Sequence, residues 1–357
     1  MRLSRLWLTD FRNYGAAEVE LAPRGLTVVV GGNGEGKTNL LEAVAYLATL
    51  GSFRGAPSEA LVRTGCASAV VRAEGRRGDR DLLVEAEIAA TGRHRLLVNR
   101  RPLQRSADLL GAVRVSLFSP DDLELVKGGP GGRRRFLDDA LVSLHPRHAA
   151  VRSDVERVLR QRNALLKQCR GRLGPTEAAT LDVWDAKLAG AGEALAAARA
   201  ELVDTLDSAV GKAYDQLAGT AAEVGVVYQR SWSGPLGEAL AAARPDDVRR
   251  GLTTVGPHRD EVRFSIARLP ARTHASQGEQ RCLALALRLS VHGTVTEAVG
   301  EPPLLLLDDV FSELDAERSA ALLAHLPDAQ ALVTTAGTLP PAARPERTLT
   351  IRRGRLV

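Results

Sequence analysis

The chain has 357 residues, of which 45% are hydrophobic and 25% are charged, and its formal net charge is +5. This composition excludes a disordered chain, and the length suffices for two modest domains or one large domain with an inserted lobe. The three cysteines are too far apart for a zinc site or a disulfide framework, which indicates a reducing, cytoplasmic setting. The amino terminus does not resemble a signal peptide and no apolar run approaches ~20 residues, so we expect a soluble protein.

The first part of the chain predicts a strand, a glycine-rich loop and a helix in succession. A strand is predicted around Trp7, and the apolar run Leu26–Val30 predicts a second strand that is buried on both faces. Asn39–Leu50 has the spacing of a helix. Between them, eight residues satisfy the phosphate-loop pattern: Gly31, Gly32, Asn33, Gly34, Glu35, Gly36, Lys37 and Thr38.

This loop predicts a site for ATP and Mg²⁺. Glycines let backbone N–H groups converge on phosphate oxygens, and the N-terminus of the following helix adds partial positive charge. Lys37 is placed to reach the β and γ phosphates and Thr38 to hold Mg²⁺, while Asn39 extends the nucleotide-binding stretch. A chance match is the alternative in a chain with 33 glycines, but the flanking strand and helix favour the functional interpretation.

The middle of the chain changes from short strands to long helices near Pro120. Residues 68 to 118 predict strands with basic turns, whereas residues 147 to 169 and about 176 to 217 have helical periodicity. Gly171, Gly174 and Pro175 break the chain between the two helices. We therefore expect an antiparallel helical hairpin, a short arm, that packs in a bundle rather than standing as a free rod.

Two carboxylates follow the apolar run Leu304–Leu307, which predicts another buried strand. We expect Asp308 to hold Mg²⁺ together with Thr38, and Asp309 to orient or deprotonate the attacking water. A carboxylate pair that merely ends a strand is the alternative for these two residues taken alone.

The separation of Thr38 and Asp308 in the sequence predicts the domain organisation. Because the two residues must meet across adjacent strands of one sheet, residues 1–118 and 296–357 are expected to build one nucleotide-binding lobe. Residues 119–295 are then an inserted lobe that carries the arm. The predicted fold is α/β, with a mixed sheet in the first lobe and a mostly helical second lobe.

The stretch Ala275–Arg281 precedes a helix and reads Ala-Ser-Gln-Gly-Glu-Gln-Arg. It resembles the Leu-Ser-Gly-Gly-Gln signature of ABC-type ATPases, with Ser276 and Gly278 in place and with Ala275 and Glu279 where leucine and a second glycine are usual. Residues 308–315 resemble the catalytic strand and D-loop of the same superfamily. The resemblance implies that Ser276 and Gly278 of one subunit close on the γ-phosphate held by another. A generic helix cap is the alternative.

Further motifs resemble the SMC-like DNA repair and chromosome ATPases and, among them, the RecF family. They are Phe11-Arg12-Asn13-Tyr14, Gly31–Ala43, Gly51–Arg54, Phe118–Leu123 and Gly256–Asp260. The resemblance implies a contact between Arg12 and the nucleotide, ATP-dependent dimerisation and weak, DNA-dependent ATP hydrolysis. It also implies binding to single-stranded and gapped duplex DNA, RecR and RecO as partners, recombinase loading, a role in the SOS response and a nucleoid-associated location in the cytoplasm.

Other positions depart from the ABC pattern and predict slow turnover. No Q-loop glutamine is evident near Val115–Leu117, Thr334 and Thr335 stand where a switch histidine is usual, and Asp309 replaces a glutamate. Two rival functions stay open. The ATPase subunit of a membrane transporter is disfavoured by the amino-terminal motif, the missing histidine and the inserted arm. A DNA-binding protein that holds ATP without hydrolysing it is mildly disfavoured by Asp309.

Arginine supplies most of the basic charge, and its guanidinium group matches phosphate oxygens bidentately. A GC-rich coding sequence is the alternative source of this bias. Arg54 and Arg133–Arg135 are candidates for contact with phosphate, although arginines on solvated surfaces give the same pattern. His258 is open to a structural or a catalytic role.

Overall fold

A computed structural model of the chain describes residues 1–357. Its strands form where apolar side chains alternate or run continuously, because these side chains cover one or both faces of a sheet. In chain order the strands are β1 Arg2–Phe11, β2 Tyr14–Glu20, β3 Leu26–Val30, β4 Ser68–Arg77, β5 Arg80–Ala89, β6 Arg95–Val98, β7 Arg101–Pro102, β8 Val115–Phe118, β9 Val224–Gln229, β10 Glu261–Ile266, β11 Leu269–Pro270, β12 Leu304–Asp308, β13 Ala331–Thr335, β14 Pro345–Arg352 and β15 Arg355–Leu356.

The helices lie in groups between groups of strands. In chain order they are α1 Lys37–Thr49, α2 Ser58–Leu61, α3 Leu123–Lys127, α4 Pro130–Leu144, α5 Arg147–Cys169, α6 Pro175–Ala218, α7 Leu236–Arg250, α8 Ala271–His274, α9 Gln277–Val299 and α10 Ala316–His325. Helices α4 and α7 were not predicted. Glycines at the start of α4 and Pro245 inside α7 weaken the local helical signal, and the burial of their apolar faces outweighs it.

One sheet carries the strands that end at the predicted site, in the order β15-β14-β3-β13-β12-β8. Its strands are parallel except for β15, which pairs antiparallel with β14. Strand β13 lies between β3 and β12, so the expectation that Thr38 and Asp308 meet across adjacent strands is wrong in that detail. The carboxyl ends of all three strands lie at the same edge of the sheet, where ligands bind in open α/β sheets.

A second sheet is antiparallel, in the order β2-β1-β4-β5-β6-β7. Leu6 and Val71 of this sheet, Leu40 of α1 and Leu306 of the parallel sheet belong to one hydrophobic core, and all four are fully buried. Each such side chain stabilises the fold by about 1.5–3 kcal/mol relative to an exposed one. Helix α1 is thus fixed by core packing, and its position fixes the loop before it.

The chain folds into two compact units. The first comprises Met1–Leu123, Lys212–Ala221 and Arg281–Val357, and the second comprises Glu124–Gly211 and Ala222–Gln280. The division after Leu123 lies close to the expected boundary at residue 118. The last division lies after Gln280, near the start of α9, and not at residue 295, and two more divisions assign Lys212–Ala221 to the first unit although the inserted lobe was expected to include this segment. The last boundary differs because most of α9 is buried with the first unit, whereas the sequence places the whole helix with the signature motif before it.

The second unit contains the helical hairpin. Leu166 of α5 and Leu181 of α6 share a small core, and Arg162 of α5 bonds to Asp185 of α6 at 2.6 Å, so the two helices run antiparallel. Arg162 has no exposed area and also bonds to Asp247 of α7 at 2.7 Å. The predicted arm is therefore packed against a third helix, as expected of a bundle.

Helix α9 has the length and apolar composition of a membrane span, and half of its most apolar window is buried inside the structure. It is the one helix of the chain with this property. A core helix of a soluble protein meets the same criteria of length and composition. Leu283 and Leu287 of α9 are fully buried, which is the behaviour of a core helix.

Candidate nucleotide-binding site

The loop between β3 and α1 needs glycine at its two ends. At Gly36, φ is 116°, and a Cβ atom there would lie 2.6 Å from Asn13 Nδ2. At Gly31, a Cβ atom would lie 2.7 Å from the carbonyl oxygen of Ile351. Backbone conformation and close approach thus exclude larger residues at these two positions. The match to the phosphate-loop pattern therefore has a structural cause beyond the abundance of glycine in the chain.

Two hairpin turns hold the loop from outside. Asn13 Nδ2 donates to the carbonyl oxygen of Glu35 at 3.0 Å, and the hydroxyl of Tyr14 donates to the carbonyl oxygen of Gly36 at 2.8 Å. From the turn between β14 and β15, the backbone N–H of Gly354 also donates to the carbonyl oxygen of Glu35, at 3.0 Å. Burial raises the pKa of Tyr14, so its hydroxyl stays protonated as a donor.

The inside of the loop offers donors for phosphate. The backbone N–H groups of Gly34, Gly36, Lys37 and Thr38 have no acceptor within the protein. Lys37 is 7% exposed, and its Nζ donates to the carbonyl oxygens of Gly31 and Gly32 at 2.8 and 2.9 Å. Open N–H groups, a helix N-terminus and a lysine that folds over the loop fit a chain of phosphates.

Thr38 and Asp308 meet as predicted, and a third residue joins them. The Thr38 hydroxyl donates to Asp308 Oδ1 at 2.9 Å, and the Thr334 hydroxyl donates to the same oxygen at 2.7 Å. Burial raises the pKa of Asp308, and the hydroxyls of Thr334 and Thr38 partly offset that increase. A hydroxyl and a carboxylate oxygen fit Mg²⁺, which takes few protein ligands and keeps several waters.

Asp309 follows at the end of the same strand in a left-handed conformation, with φ 48°. Its backbone N–H donates to Thr334 Oγ1 at 2.9 Å, and its Oδ1 accepts a longer bond of 3.4 Å from the backbone N–H of Ala336. Left-handed aspartates are uncommon and cluster at functional sites. In the sequence, Thr334 was noted only because it stands where a switch histidine is usual. The structure makes it the link between Asp308 and Asp309.

The structure turns Arg12 towards the protein interior. Its Nε and Nη2 bond to the two oxygens of Glu42 at 2.7 and 2.8 Å, and its Nη1 donates to the carbonyl oxygen of Ala60 at 2.8 Å. Glu42 has no exposed area. The pair ties the β1–β2 turn to α1, and a contact between Arg12 and the nucleotide stays a prediction.

Asn39 and Arg54 lie at the rim of the site. Asn39 Nδ2 donates to Asn13 Oδ1 at 2.8 Å, and Arg54 Nη1 donates to Asn39 Oδ1 at 3.4 Å. Arg54 also lies close enough to Asp308 for its charge to lower the pKa of that carboxyl. The exposed Arg54 is thus placed for contact with an anion at this rim.

The signature residues lie at the start of α9, with Ser276 directly before the helix and Gly278 in its first turn. The backbone N–H of Ser276 donates to Glu279 Oε2 at 2.7 Å, and Ser276 Oγ accepts from the backbone N–H of Glu279 at 3.3 Å. When Leu-Ser-Gly-Gly-Gln is aligned on Ser276, Gln277 and Gly278 stand at the two glycines and Glu279 stands at the glutamine. The expectation that Glu279 replaces a glycine is therefore wrong.

Two further candidates have structural roles. Arg133 is 5% exposed and bonds to both oxygens of Glu261, at 3.0 and 3.2 Å, so it is not a solvent-facing contact for DNA. Burial lowers the pKa of His258 to about 4, and its Nε2 lies 3.0 Å from the carbonyl oxygen of Thr253. Local sequence gave no signal for the Arg133 arrangement, because Glu261 lies 128 residues away on β10, whereas the partner of His258 lies only five residues before it in the same loop.

Residues 2–338 match the family model described as the RecF/RecN/SMC N terminal domain. The chain belongs to this family. It is 47% identical over 353 residues to the DNA replication and repair protein RecF of Streptomyces avermitilis, with 94% of each chain covered. It is 45% identical over 354 residues to the RecF protein of Frankia alni, with 94% of this chain and 93% of that protein covered. The predicted membership of the RecF family is confirmed.

Solved structures of RecF proteins share the whole fold. One, described as the recombination mediator protein RecF with ATP in the RecFOR pathway, is 28% identical with a TM-score of 0.91, and the match covers 100% of this chain and 97% of that one. An SMC head bound to the winged-helix domain of ScpA has a TM-score of 0.60 at 17% identity, which shows the fold alone. The predicted ATPase-head fold with a mixed sheet and a helical insertion is confirmed.

Proposed function

We propose that this RecF-family chain is an ATP-dependent DNA-binding protein of replication and recombinational repair that dimerises on ATP. The observation that carries the proposal is the row of open N–H donors beside the cluster of Thr38, Asp308 and Thr334. Relatives named DNA replication and repair protein RecF, and a RecF structure that contains ATP, support the same function.

In the proposed mechanism each residue of the loop has one task. The N–H groups of Gly34 and Gly36 bind phosphate oxygens, and Lys37 exchanges its carbonyl partners for the β and γ phosphates. Thr38 and Asp308 hold Mg²⁺, which neutralises phosphate charge when bound. Asp309 orients the attacking water. The Asp309 side chain is shorter than a glutamate side chain, and Thr334 holds its backbone in place. Its carboxylate therefore reaches less far towards the water, which supports slow turnover.

Dimerisation follows from the position of the signature residues. Ser276 and the N-terminus of α9 of one copy bind the γ-phosphate held by the other copy. Each charge-assisted hydrogen bond to the phosphate adds about 1.5–3 kcal/mol to the free energy of dimerisation. The bonds from Ser276 and from the helix N-terminus are lost when the phosphate leaves. ATP therefore holds the two copies together, and hydrolysis releases them.

DNA is bound mainly through its phosphates in this proposal. Arginine-rich surfaces fit a phosphate backbone, so binding is weakened by salt and depends little on base sequence. The preferred substrates are single-stranded DNA and gapped duplexes, with DNA-stimulated hydrolysis. RecR and RecO are the proposed partners in recombinase loading and SOS induction, on the nucleoid in the cytoplasm. The name of the RecFOR pathway, printed for the similar structure, supports these partners.

Light scattering with ADP, ATP and a slowly hydrolysed ATP analogue, with and without gapped DNA, tests the proposal. We expect a monomer with ADP and a dimer with the analogue. Ser276→Arg is expected to keep ATP binding by the monomer and to prevent dimerisation. A Ser276→Arg protein that still dimerises with ATP would contradict the proposed contact between signature and phosphate.

DNA binding and turnover separate this function from its rivals. Affinity for gapped DNA is expected to fall by orders of magnitude over a fourfold rise in salt if roughly six or more phosphates are contacted. Unchanged affinity, or binding to one base sequence only, would exclude the phosphate-based interface. Phosphate release in the presence and absence of DNA then distinguishes an ATPase from a protein that only holds ATP.

A further inference from the structure

The carboxylate of Glu279 covers the N-terminus of helix α9. It accepts the backbone N–H of Ser276 at 2.7 Å, while Ser276 Oγ accepts the backbone N–H of Glu279 at 3.3 Å. This reciprocal pair is a capping box, in which two side chains satisfy backbone donors that the helix itself leaves open. The backbone N–H of the signature serine is therefore already engaged by a carboxylate of the same chain, while its hydroxyl accepts one bond and keeps its own donor.

These groups are the ones that the proposed function assigns to the γ-phosphate of a second copy. A helix N-terminus attracts anions through its open N–H groups and its partial positive charge. A carboxylate held at this position is an anion already in place, and it repels the charge of an arriving triphosphate. A triphosphate that reaches this helix terminus therefore competes with the Glu279 carboxylate for the same donor.

We propose that Glu279 is an internal competitor that sets the affinity of ATP-dependent dimerisation. The terminal phosphate of a nucleoside triphosphate, held by a second copy of this chain, displaces the Glu279 carboxylate from Ser276. The carboxylate returns when the phosphate leaves. This inference rests on the proposed function and adds a residue that resists closure. The signature pattern has a neutral glutamine at this position, so the competing charge is a property of the present sequence.

The backbone of the capping box is held in place by the residue that follows it. Gln280 is 3% exposed, and its Nε2 donates to the carbonyl oxygens of Ala271 and Arg272 at 3.0 and 3.2 Å. These bonds tie the first turn of α9 to α8 and hold the backbone of the signature in place. Ser276 is exposed and Glu279 is half-buried, so an arriving phosphate reaches the serine and competes with the carboxylate for its backbone N–H.

Glu279→Gln tests the competition directly, because it removes the charge and keeps the size and a hydrogen-bond acceptor. Glu238→Gln is the matched control, since Glu238 is an exposed acid in the first turn of α7 that caps nothing. The dimer Kd is measured by light scattering over a series of protein concentrations, with the slowly hydrolysed ATP analogue and with ADP. ATP affinity is measured at concentrations where the protein is monomeric.

We expect Glu279→Gln to lower the dimer Kd with the ATP analogue roughly tenfold, because each of two helix termini loses a competing charge. ATP affinity of the monomer and behaviour with ADP stay as in the wild type, and Glu238→Gln matches the wild type throughout. A Glu279→Gln dimer that is as weak as the wild type, or weaker, overturns the competitor role and leaves the proposed function standing.

Two further outcomes are informative. If neither the wild type nor Glu238→Gln dimerises with ATP, the proposed function fails and this inference fails with it. Glu279→Ala separates competition from folding, because it also removes the helix cap. A lower Tm together with a tighter ATP-dependent dimer supports competition, whereas a lower Tm with a weaker dimer contradicts it.

Discussion

The phosphate loop and the signature loop both present a helix N-terminus, but different groups hold them. The phosphate loop is held by Asn13, Tyr14 and Gly354, which come from hairpin turns at opposite ends of the sequence. The signature loop satisfies its own donors through Ser276 and Glu279. A loop held from outside keeps its inner N–H groups open, whereas a loop that caps itself must release a side chain first. Under the proposed function, nucleotide binding therefore needs one chain and closure needs two.

The strongest test of this comparison is Lys37→Met. ATP affinity is expected to fall roughly 100-fold or more, because Lys37 supplies the charged side-chain donor of the loop. The measurement is equilibrium binding of a fluorescent ATP analogue to the monomer. Lys212→Met removes an exposed lysine of the first unit and serves as the control. Wild-type affinity in Lys37→Met would place the nucleotide elsewhere.

Asp308→Asn and Asp309→Asn separate metal binding from water activation. Asp308→Asn is expected to remove the dependence of ATP affinity on Mg²⁺ and to slow hydrolysis roughly 100-fold, because it removes the metal's carboxylate ligand. Asp309→Asn is expected to slow hydrolysis while ATP affinity still depends on Mg²⁺. Magnesium titrations of binding and phosphate release measure both effects. The same Mg²⁺ dependence in the two variants would contradict the assigned roles.

Glu42→Gln tests how far the phosphate loop depends on its support. The fully buried Glu42 bonds to two nitrogens of Arg12, and loss of one charge from a buried pair costs about 3–5 kcal/mol. We expect a loss of this order in the free energy of unfolding, measured by urea denaturation. Glu223→Gln breaks an exposed pair with Arg268 and is expected to leave stability unchanged. Equal stability of both variants would show that the β1–β2 turn does not depend on Glu42.

The smallest effect concerns the body of α9, where His292 is 1% exposed and its Nδ1 lies 3.0 Å from Ser116 Oγ. Burial lowers the pKa of His292 from 6.5 to about 4. The unfolded chain therefore binds the proton more readily than the folded chain. The stability that neutral His292 contributes is present above pH 6.5 and is lost as the pH falls through about 4. Between pH 6.5 and 5 the loss of stability from His292 amounts to about 1.5 kcal/mol.

His292→Asn is expected to reduce the acid dependence of stability between pH 6.5 and 5, as followed by urea denaturation at several pH values. His258, whose pKa burial also lowers to about 4, retains its own contribution in that variant. An unchanged slope in His292→Asn would mean that His292 is solvated in the folded protein.

Much of the phosphate-loop side of the molecule could be predicted from local sequence. The run Leu26–Val30, the glycines after it and the spacing of α1 each specify their structure over a few residues, and the Asp308 pair follows an apolar run of the same kind. The arm was also predictable, because Arg147–Cys169 and Pro175–Ala218 are long periodic segments divided by glycine and proline. Long elements with strong periodicity determine their own type.

The remaining features depended on which distant residues meet. Strand order places β13 between β3 and β12, which makes Thr334 the partner of both aspartates. Arg133, a candidate DNA contact in the sequence, is buried in an ion pair with Glu261. Most of α9 belongs to the first unit, although the sequence places it with the second. Local sequence therefore determined the long periodic helices, the buried strands and the phosphate loop, because these depend on backbone preference and apolar spacing, whereas α4 and α7 depend on burial. Only the tertiary structure decided the partners of Arg12, Arg133 and Asp308, because those partners lie on elements that are far apart along the chain.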